Sequence, residues 1–496
     1  MGVIIRQSIK GTIINYIGTA IGVISTLFIV TRFLSQEDIG LTRVIFDVGL
    51  LFSSLALLGT SSSITRFFPY FRDEKKKHNG FFFYIVILPL IGCLIFIPLY
   101  ILLREPVTKL FVEESPLIVS YFYWIIPLIF FLTYWSVFET YSAVNMRIVV
   151  PKFIKEVLVR LLLIIVYLLY GYHIINQDGL VGFYIAVYGI AMFAVLIYVS
   201  KIAPTSLKHD NSFVSKDLRK DISKYTLYLL IAALGDNILT KLDVFMISSQ
   251  MGLADTGIYT ISMYIAVMVG IPARSIMSIS SPVAARALRE GNIEEANQLY
   301  KKVSLHQLLA GGILFILVWS NIDNIFAIIP KGVSYSAGKW VILFIGIAKL
   351  IEITLNFGAV LISFSKYYYW SLYFVFIIIG IGILTNYLLI PHFGITGAAV
   401  ATLISSVLSY SFQQWIVLRK IKANPYSAGT LKTLFVVALL LGVNFILPHV
   451  SNPWIDGIYR TAILVLITLP SVYFLKISPE VNNIVLMILQ KTGIKK

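Results

Sequence analysis

LYLLIAALGDNILTKLDVFMISSQMGLADTG, residues 227–257, is a long apolar run ended by Asp255-Thr256-Gly257. A second run begins at Ile258, and the basic residues Arg286 and Arg289 close the segment before Asn292. The start of the chain follows the same plan. Subtracting 217 from the numbering lays Gly235 on Gly18, Phe245 on Phe28, Asp255 on Asp38, Gly257 on Gly40, Ser278 on Ser61 and Arg289 on Arg72. Both copies show an apolar run, a short Asp-x-Gly break, a second run and a basic segment. Leu227–Asn292 is therefore read as the opening of the second half of a duplicated membrane protein.

Composition bounds the class. Hydrophobic residues are 58% of 496 and the mean hydropathy is +0.86, against roughly 45–50% apolar content in soluble domains. The expectation is an all-α polytopic membrane protein with about fourteen transmembrane helices, each about 20 residues to match a hydrocarbon core of about 30 Å. The spans fall near 11–34, 41–68, 81–103, 117–140, 156–176, 180–200, 225–250, 257–282, 303–320, 339–364, 368–390, 394–418, 430–449 and 459–476. Continuous apolar runs argue against a barrel, whose strands alternate. The first run is too long for a signal-peptide core and no small-residue cleavage site follows, so it reads as a retained span. The single cysteine, Cys93, excludes a disulfide framework and a cysteine metal site.

The net charge of +16 would point to nucleic acid in a soluble chain; here its placement matters more, and no nucleic-acid partner is expected. With the N-terminus inside, Lys and Arg collect in the cytoplasmic connections: Arg72 to Lys77, Arg147 to Lys155, Lys201 to Lys224, Arg286 to Lys302, Lys366, Arg419 to Lys422 and the tail. Outer connections hold few, namely Arg32, Arg43, Arg104, Lys109, Lys331, Lys339 and Arg460. Both termini are then cytoplasmic. The expected division is an N-terminal lobe at 1–200, a cytoplasmic linker at 201–224, a C-terminal lobe at 225–420, and two added spans with the tail at 421–496. Each repeat holds an even number of spans, so the two run in the same direction, about an axis along the membrane normal.

Charges inside a bilayer cost about 2.5–3.5 kcal/mol each on insertion scales, so each needs a partner, a wet cavity or a route to the interface. Asp236, Thr240 and Asp243 share one helical face, with Asn237 and Lys241 beside it. Asp236 lies about 18 Å beyond Lys224 along a helix, near mid-membrane. These residues are either a cavity network or an internal Asp/Lys network that stabilises the bundle. Arg274 follows Gly270-Ile271-Pro272, where the proline should kink the helix; the arginine either snorkels or faces a cavity. Arg66 and Arg32 end spans and read equally as interfacial anchors or ligands. Lys349 and Glu352 read most economically as a neutralising pair, and Glu139 and Arg160 as interfacial. Asn15, Gly18, Thr19, Gly22 and Thr26 give the first span a small-residue face suited to packing.

Enzyme signatures are thin. Six scattered histidines show no ligand spacing, and no Walker-A loop, H-E-x-x-H or G-x-S-x-G occurs. A multi-drug or metabolite exporter and a membrane glycan polymerase or ligase are the alternatives. Abundant intramembrane basic residues argue against a cationic drug, and short outer connections near 104–116 and 321–338 argue against an enzyme.

Several stretches carry a family resemblance: Arg32-Phe33-Leu34-Ser35-Gln36-Glu37-Asp38-Ile39-Gly40 after the first span and Gly252-Leu253-Ala254-Asp255-Thr256-Gly257-Ile258-Tyr259 after the seventh. Ile271-Pro272 and Ser281-Pro282-Val283-Ala284 join them. The chain resembles the polysaccharide-biosynthesis (O-antigen) branch of the MOP flippase superfamily, which also holds multidrug and toxin extrusion transporters and lipid II flippases. The resemblance implies two six-helix lobes in pseudo-two-fold repeat around a central cavity, with two C-terminal helices added. It implies alternating access that moves an undecaprenyl-diphosphate-linked oligosaccharide from the inner to the outer leaflet of a bacterial inner membrane. Diphosphate-binding roles would fall on Arg274 and Arg66, more weakly on Arg32, and on Lys241. Asp236, Asp243, Lys349 and Glu352 are the candidates for ion coupling or a cavity network. No cofactor or metal is implied, and coupling to H+ or Na+ stays open. Partners would be the lipid-linked oligosaccharide, membrane lipids, and glycan polymerase or ligase machinery.

Overall fold

The computed structural model describes residues 2–73, 76–207, 241–367 and 369–483, without the side chains of 2–6, 8, 9, 274, 275, 278, 371 and 372. The described residues form helices joined by turns and short loops, with no strand among them. Among the described residues, eleven helical segments are long and apolar enough to cross a membrane. They account for twelve of the fourteen spans read from the sequence, because Tyr373–Ile421 holds two. Gly394 breaks that segment at φ 57°, ψ −141°. A Cβ on Gly397 would collide with the Leu389 carbonyl, whereas residues eight apart in a straight helix stand about 12 Å apart. The chain therefore doubles back at Gly394. The fifth expected span is a helix over 149–171 with a π-turn at Ile154–Leu158; Lys152, Lys155, Glu156 and Arg160 make it too charged to qualify on composition. Most of the seventh lies outside the described residues, as does the expected linker from residue 208 on.

The duplication reaches the level of elements. Adding 217 carries Gln36, the first residue of helix Gln36–Ala56, to Leu253, the first of Leu253–Ala266. It carries the short helix Arg104–Phe111 onto the neighbourhood of Ile322–Ile328, and the start of Gln177–Ile202 onto the hinge at Gly394. By compactness the chain forms two units, Met1–Gly257 and Ile258–Lys496.

In the first unit, Ile125–Val144 is the centre. Gln36–Ala56, Thr60–Phe71, Phe81–Leu102 and Gln177–Ile202 pack against it. The Asp-x-Gly motif has a structural job here. Ser35 and Asp38 form a capping box, with Asp38 N–H donating to Ser35 Oγ at 3.0 Å and Ser35 N–H to Asp38 Oδ2 at 3.2 Å. Tyr170 and Gln177 also donate to the Asp38 carboxylate, at 3.1 and 3.3 Å. Gly40 and Gly257 permit a reciprocal contact: a Cβ on Gly40 would collide with the Leu253 carbonyl, and one on Gly257 with the Gln36 carbonyl. The second span breaks at Leu58 (φ 48°) and Gly59 (φ 71°), so Arg66 rides on a separate helix, Thr60–Phe71. The small face of the first span meets the fifth: a Cβ on Gly18 would stand 2.6 Å from Glu156 Cβ.

In the second unit Ile293–Ser320 is the centre, with Ile271–Arg289, Lys339–Leu355, Ala428–Ile446 and Pro453–Phe474 around it. A short 3-10 turn, Val267–Gly270, interrupts the eighth span, and Pro272 stands in the first turn of the helix that follows. That position tolerates proline because its missing N–H would be unpaired anyway.

Candidate functional site

Arg43 and Asp47 lie one turn apart on Gln36–Ala56. Arg43 Nε donates to Asp47 Oδ2 at 2.6 Å. From the helix over 241–250, Lys241 Nζ stands 2.8 Å from Oδ1 of the same carboxylate. Asp47 lies eleven residues past Gln36 and Lys241 ten before Met251, about 15–16 Å along each helix. Both therefore sit near half the depth of a hydrocarbon core of about 30 Å. The Asp47 side chain is sealed at 0% exposure, whereas Arg43 keeps 25% and Lys241 15%. Phe46 packs on Tyr188 with ring centroids 5.4 Å apart, and the Tyr188 hydroxyl is 3.4 Å from that of Tyr184. Among the described residues of this cluster, two cations on one carboxylate leave a surplus of one positive charge. The cations stay partly open, so their free sides are available to a second anion, and the guanidinium fork suits phosphate.

Several other cations each meet a single carboxylate. Lys349 and Glu352 pair at 2.7 Å on one helix, with Lys349 Cε 3.0 Å from where a Cβ on Gly270 would stand. Arg160 pairs with Glu156 at 2.8 Å and donates to the Gly18 carbonyl; Lys155 pairs with Glu139 at 3.0 Å. Arg460 is buried entirely. Its Nε donates to Asp456 at 2.8 Å, and its two amino groups donate to Asn444 Oδ1 and the carbonyls of Asn444, Leu447 and Pro448. Asn324 and the Val450 N–H complete the Asp456 carboxylate, at 2.7 and 2.8 Å. That cluster ties the loop between the last two spans to the short helix Ile322–Ile328.

The family described as "Polysaccharide biosynthesis protein" matches residues 6–288, more than half of the chain. The chain belongs to this family. A membrane protein of Methanocaldococcus jannaschii, MJ1068, is 25% identical over 301 residues, 57% of this chain and 55% of that protein. The chain thus spans about half the length of that curated relative. Among solved structures, the lipid II flippase MurJ in an inward closed conformation superposes with a TM-score of 0.74 at 14% identity, covering 94% of this chain and 98% of that one. An inward-facing MATE-family multidrug resistance transporter of the MOP superfamily gives 0.58 at 15% identity, covering 82% and 95%. At these identities the likeness is one of fold, and the fold is that of the MOP-superfamily flippases and transporters.

Within the polysaccharide biosynthesis family fold, the residues expected to bind diphosphate are spread out. Arg274 is the fourth residue of Ile271–Arg289, but its side chain lies outside the described residues. Arg66 is exposed, its guanidinium carbon 5.5 Å from the Phe67 ring centroid. Arg32 is exposed at the end of the first span, 5.5 Å over the Phe33 ring. Of the four, Lys241 joins the buried cluster. Asp243 is half-buried on the same helix; Asp236, Asn237 and Thr240 lie outside the described residues. Two residues counted above with the outer connections belong elsewhere. Arg43 stands two turns inside Gln36–Ala56, and Arg460 two turns inside Pro453–Phe474. Sequence reasoning passed over Asp47 altogether. The i, i+4 spacing of Arg43 and Asp47 within an apolar run was the available signal.

Proposed function

We propose that the chain is a flippase that moves an undecaprenyl-diphosphate-linked oligosaccharide from the inner to the outer leaflet of a bacterial inner membrane by alternating access, with both termini cytoplasmic. The observation that carries this reading is the mid-depth cluster of Arg43, Lys241 and Asp47, whose surplus positive charge suits an anionic cargo. A lipid-linked diphosphate leaves its tail in the bilayer and needs a basic passage only for its head. A membrane potential negative inside favours outward transfer of that head by about 2.3 kcal/mol per charge per 100 mV. Coupling to H+ or Na+ would fall on Asp236, Asp243 or Glu352. The product would pass to glycan polymerase or ligase machinery for O-antigen or similar surface polysaccharide.

The test is genetic. Arg274→Ala and Arg66→Ala should abolish surface glycan while protein abundance holds, and cells lacking the chain should accumulate the lipid-linked intermediate. Normal glycan in both variants would remove those two residues from the mechanism. Cells lacking the chain that keep their glycan but become sensitive to dyes would mark it as an exporter of the same fold.

A further inference from the structure

The cluster of Arg43, Asp47 and Lys241 holds its two cations unequally. Arg43 shares a helix with Asp47 and donates an aligned hydrogen bond to Oδ2. Lys241 comes from another helix and stands 2.8 Å from Oδ1, so its contact joins two helices while that of Arg43 stays within one. Arg460 and Asp456 show what a permanent fixture looks like in the same chain: both side chains are 1% exposed and the guanidinium is saturated with acceptors. Lys241 is neither sealed nor saturated in that way.

We propose that Asp47 is an internal counter-anion that yields Lys241 to the diphosphate of the cargo and takes it back when the cargo leaves. This rests on the reading of the cargo as a lipid-linked diphosphate. A buried pair of cations with no anion of its own would grip a diphosphate and be left bare by its departure, which raises the cost of release. With Asp47 beneath them, the cations have a partner before and after transport. Cargo and carboxylate compete for one ammonium, so the site binds less tightly and releases faster. Arg43 stays on Asp47 throughout and keeps the carboxylate aimed at the Lys241 position. Exchange also breaks a charge link between Gln36–Ala56 and the helix over 241–250, so cargo binding loosens one helix from the other.

The experiment uses the full chain in nanodiscs, with farnesyl diphosphate as probe and farnesol as control. Asp47→Asn should bind farnesyl diphosphate more tightly than wild type, by roughly tenfold or more, while surface glycan in cells falls. Lys241→Gln should weaken binding. A folded Asp47→Asn protein that binds no more tightly overturns the proposal and leaves Asp47 a structural clamp. A second measurement needs no variant. Dicyclohexylcarbodiimide should join Asp47 and Lys241 as an amide detectable by mass spectrometry, and saturating farnesyl diphosphate should suppress that product. An undiminished cross-link overturns the exchange. Wild type that binds farnesyl diphosphate no better than farnesol overturns the diphosphate reading itself, and the exchange falls with it.

Discussion

Alanine in place of a helical glycine ordinarily stabilises, by about 1 kcal/mol. At Gly40 and Gly257 the sign should reverse. Each missing Cβ position is filled by a backbone carbonyl, that of Leu253 or of Gln36, and a carbonyl cannot rotate aside as a side chain can. The two first turns must part instead. Overpacking costs about 1–3 kcal/mol, and a backbone oxygen in collision with the new Cβ puts this case at about 2–3 kcal/mol, so each single variant should lose about 1–2 kcal/mol after the propensity gain. The two contacts are reciprocal, residue 40 against 253 and 257 against 36, so one separation relieves both. Gly40→Ala/Gly257→Ala should therefore cost little more than either single change, with a coupling of about 1–2 kcal/mol in a double-mutant cycle. Chemical unfolding in detergent reads all four corners. Gly380→Ala is the control, because a Cβ there meets nothing within 4 Å and should stabilise by about 0.5–1 kcal/mol. Additive losses, or a neutral Gly40→Ala, would refute the reciprocal contact.

Two further outcomes follow from the charge clusters. Arg460→Met leaves the buried Asp456 with Asn324, the Val450 N–H and, at 3.9 Å, the exposed His449 ring, and should cost about 3–5 kcal/mol. Hydrogen exchange near 444–460 should accelerate, and adding Asp456→Asn should recover part of the loss; unchanged exchange would refute the role. At the C-terminal end, the Ser478 hydroxyl, which donates at 2.7 Å, and then Lys302 Nζ at 2.9 Å hold the Glu480 carboxyl at about 2, below its ordinary 4.5. A depressed carboxylate stabilises fully above about pH 4.5 and loses that contribution as pH falls toward 2. Glu480 is 44% exposed, which limits the contribution to about 0.5–1 kcal/mol. Proteolysis within 477–483 should be flat from pH 8 to 5 and rise below about pH 4, and Ser478→Ala should shift that rise upward. An unshifted profile would remove Ser478 from the account.

The architecture was legible because its signals are local. Apolar length marks spans wherever they lie, and a shift of 217 residues aligns two copies without any knowledge of contacts. The Asp-x-Gly motif was visible for the same reason, although its meaning was not. Asp38 serves as a helix cap, and the glycines serve a backbone contact across more than two hundred residues, which no single helix reveals. Gly394 shows the opposite limit. The apolar pattern separated two spans at a short polar interruption there, but the reversal itself turns on one backbone conformation, φ 57° and ψ −141° at Gly394, which hydropathy does not register.

The site was half legible, for a physical reason. Lys241 stood out because a charge in an apolar run is costly and needs an explanation. Its neighbours on the same helix, Asp236 and Asp243, were the obvious counter-charges, since helical spacing is all that one span shows. The carboxylate it meets is Asp47, nearly two hundred residues earlier, and nothing within one span links the two; Arg43, one turn from Asp47, was itself counted with the outer connections. The same logic applied to Lys349 and Glu352, on one helix, works, because there the pair is complete. What separates the two cases is arithmetic that needs the tertiary structure: one carboxylate shared by two cations leaves a charge over, and one shared with a single cation does not. A balanced pair holds a bundle together. Among the described residues, a surplus at mid-depth, with its carboxylate sealed and its cations partly open, is a demand for an anion, and that demand is the physical argument for the proposed anionic cargo.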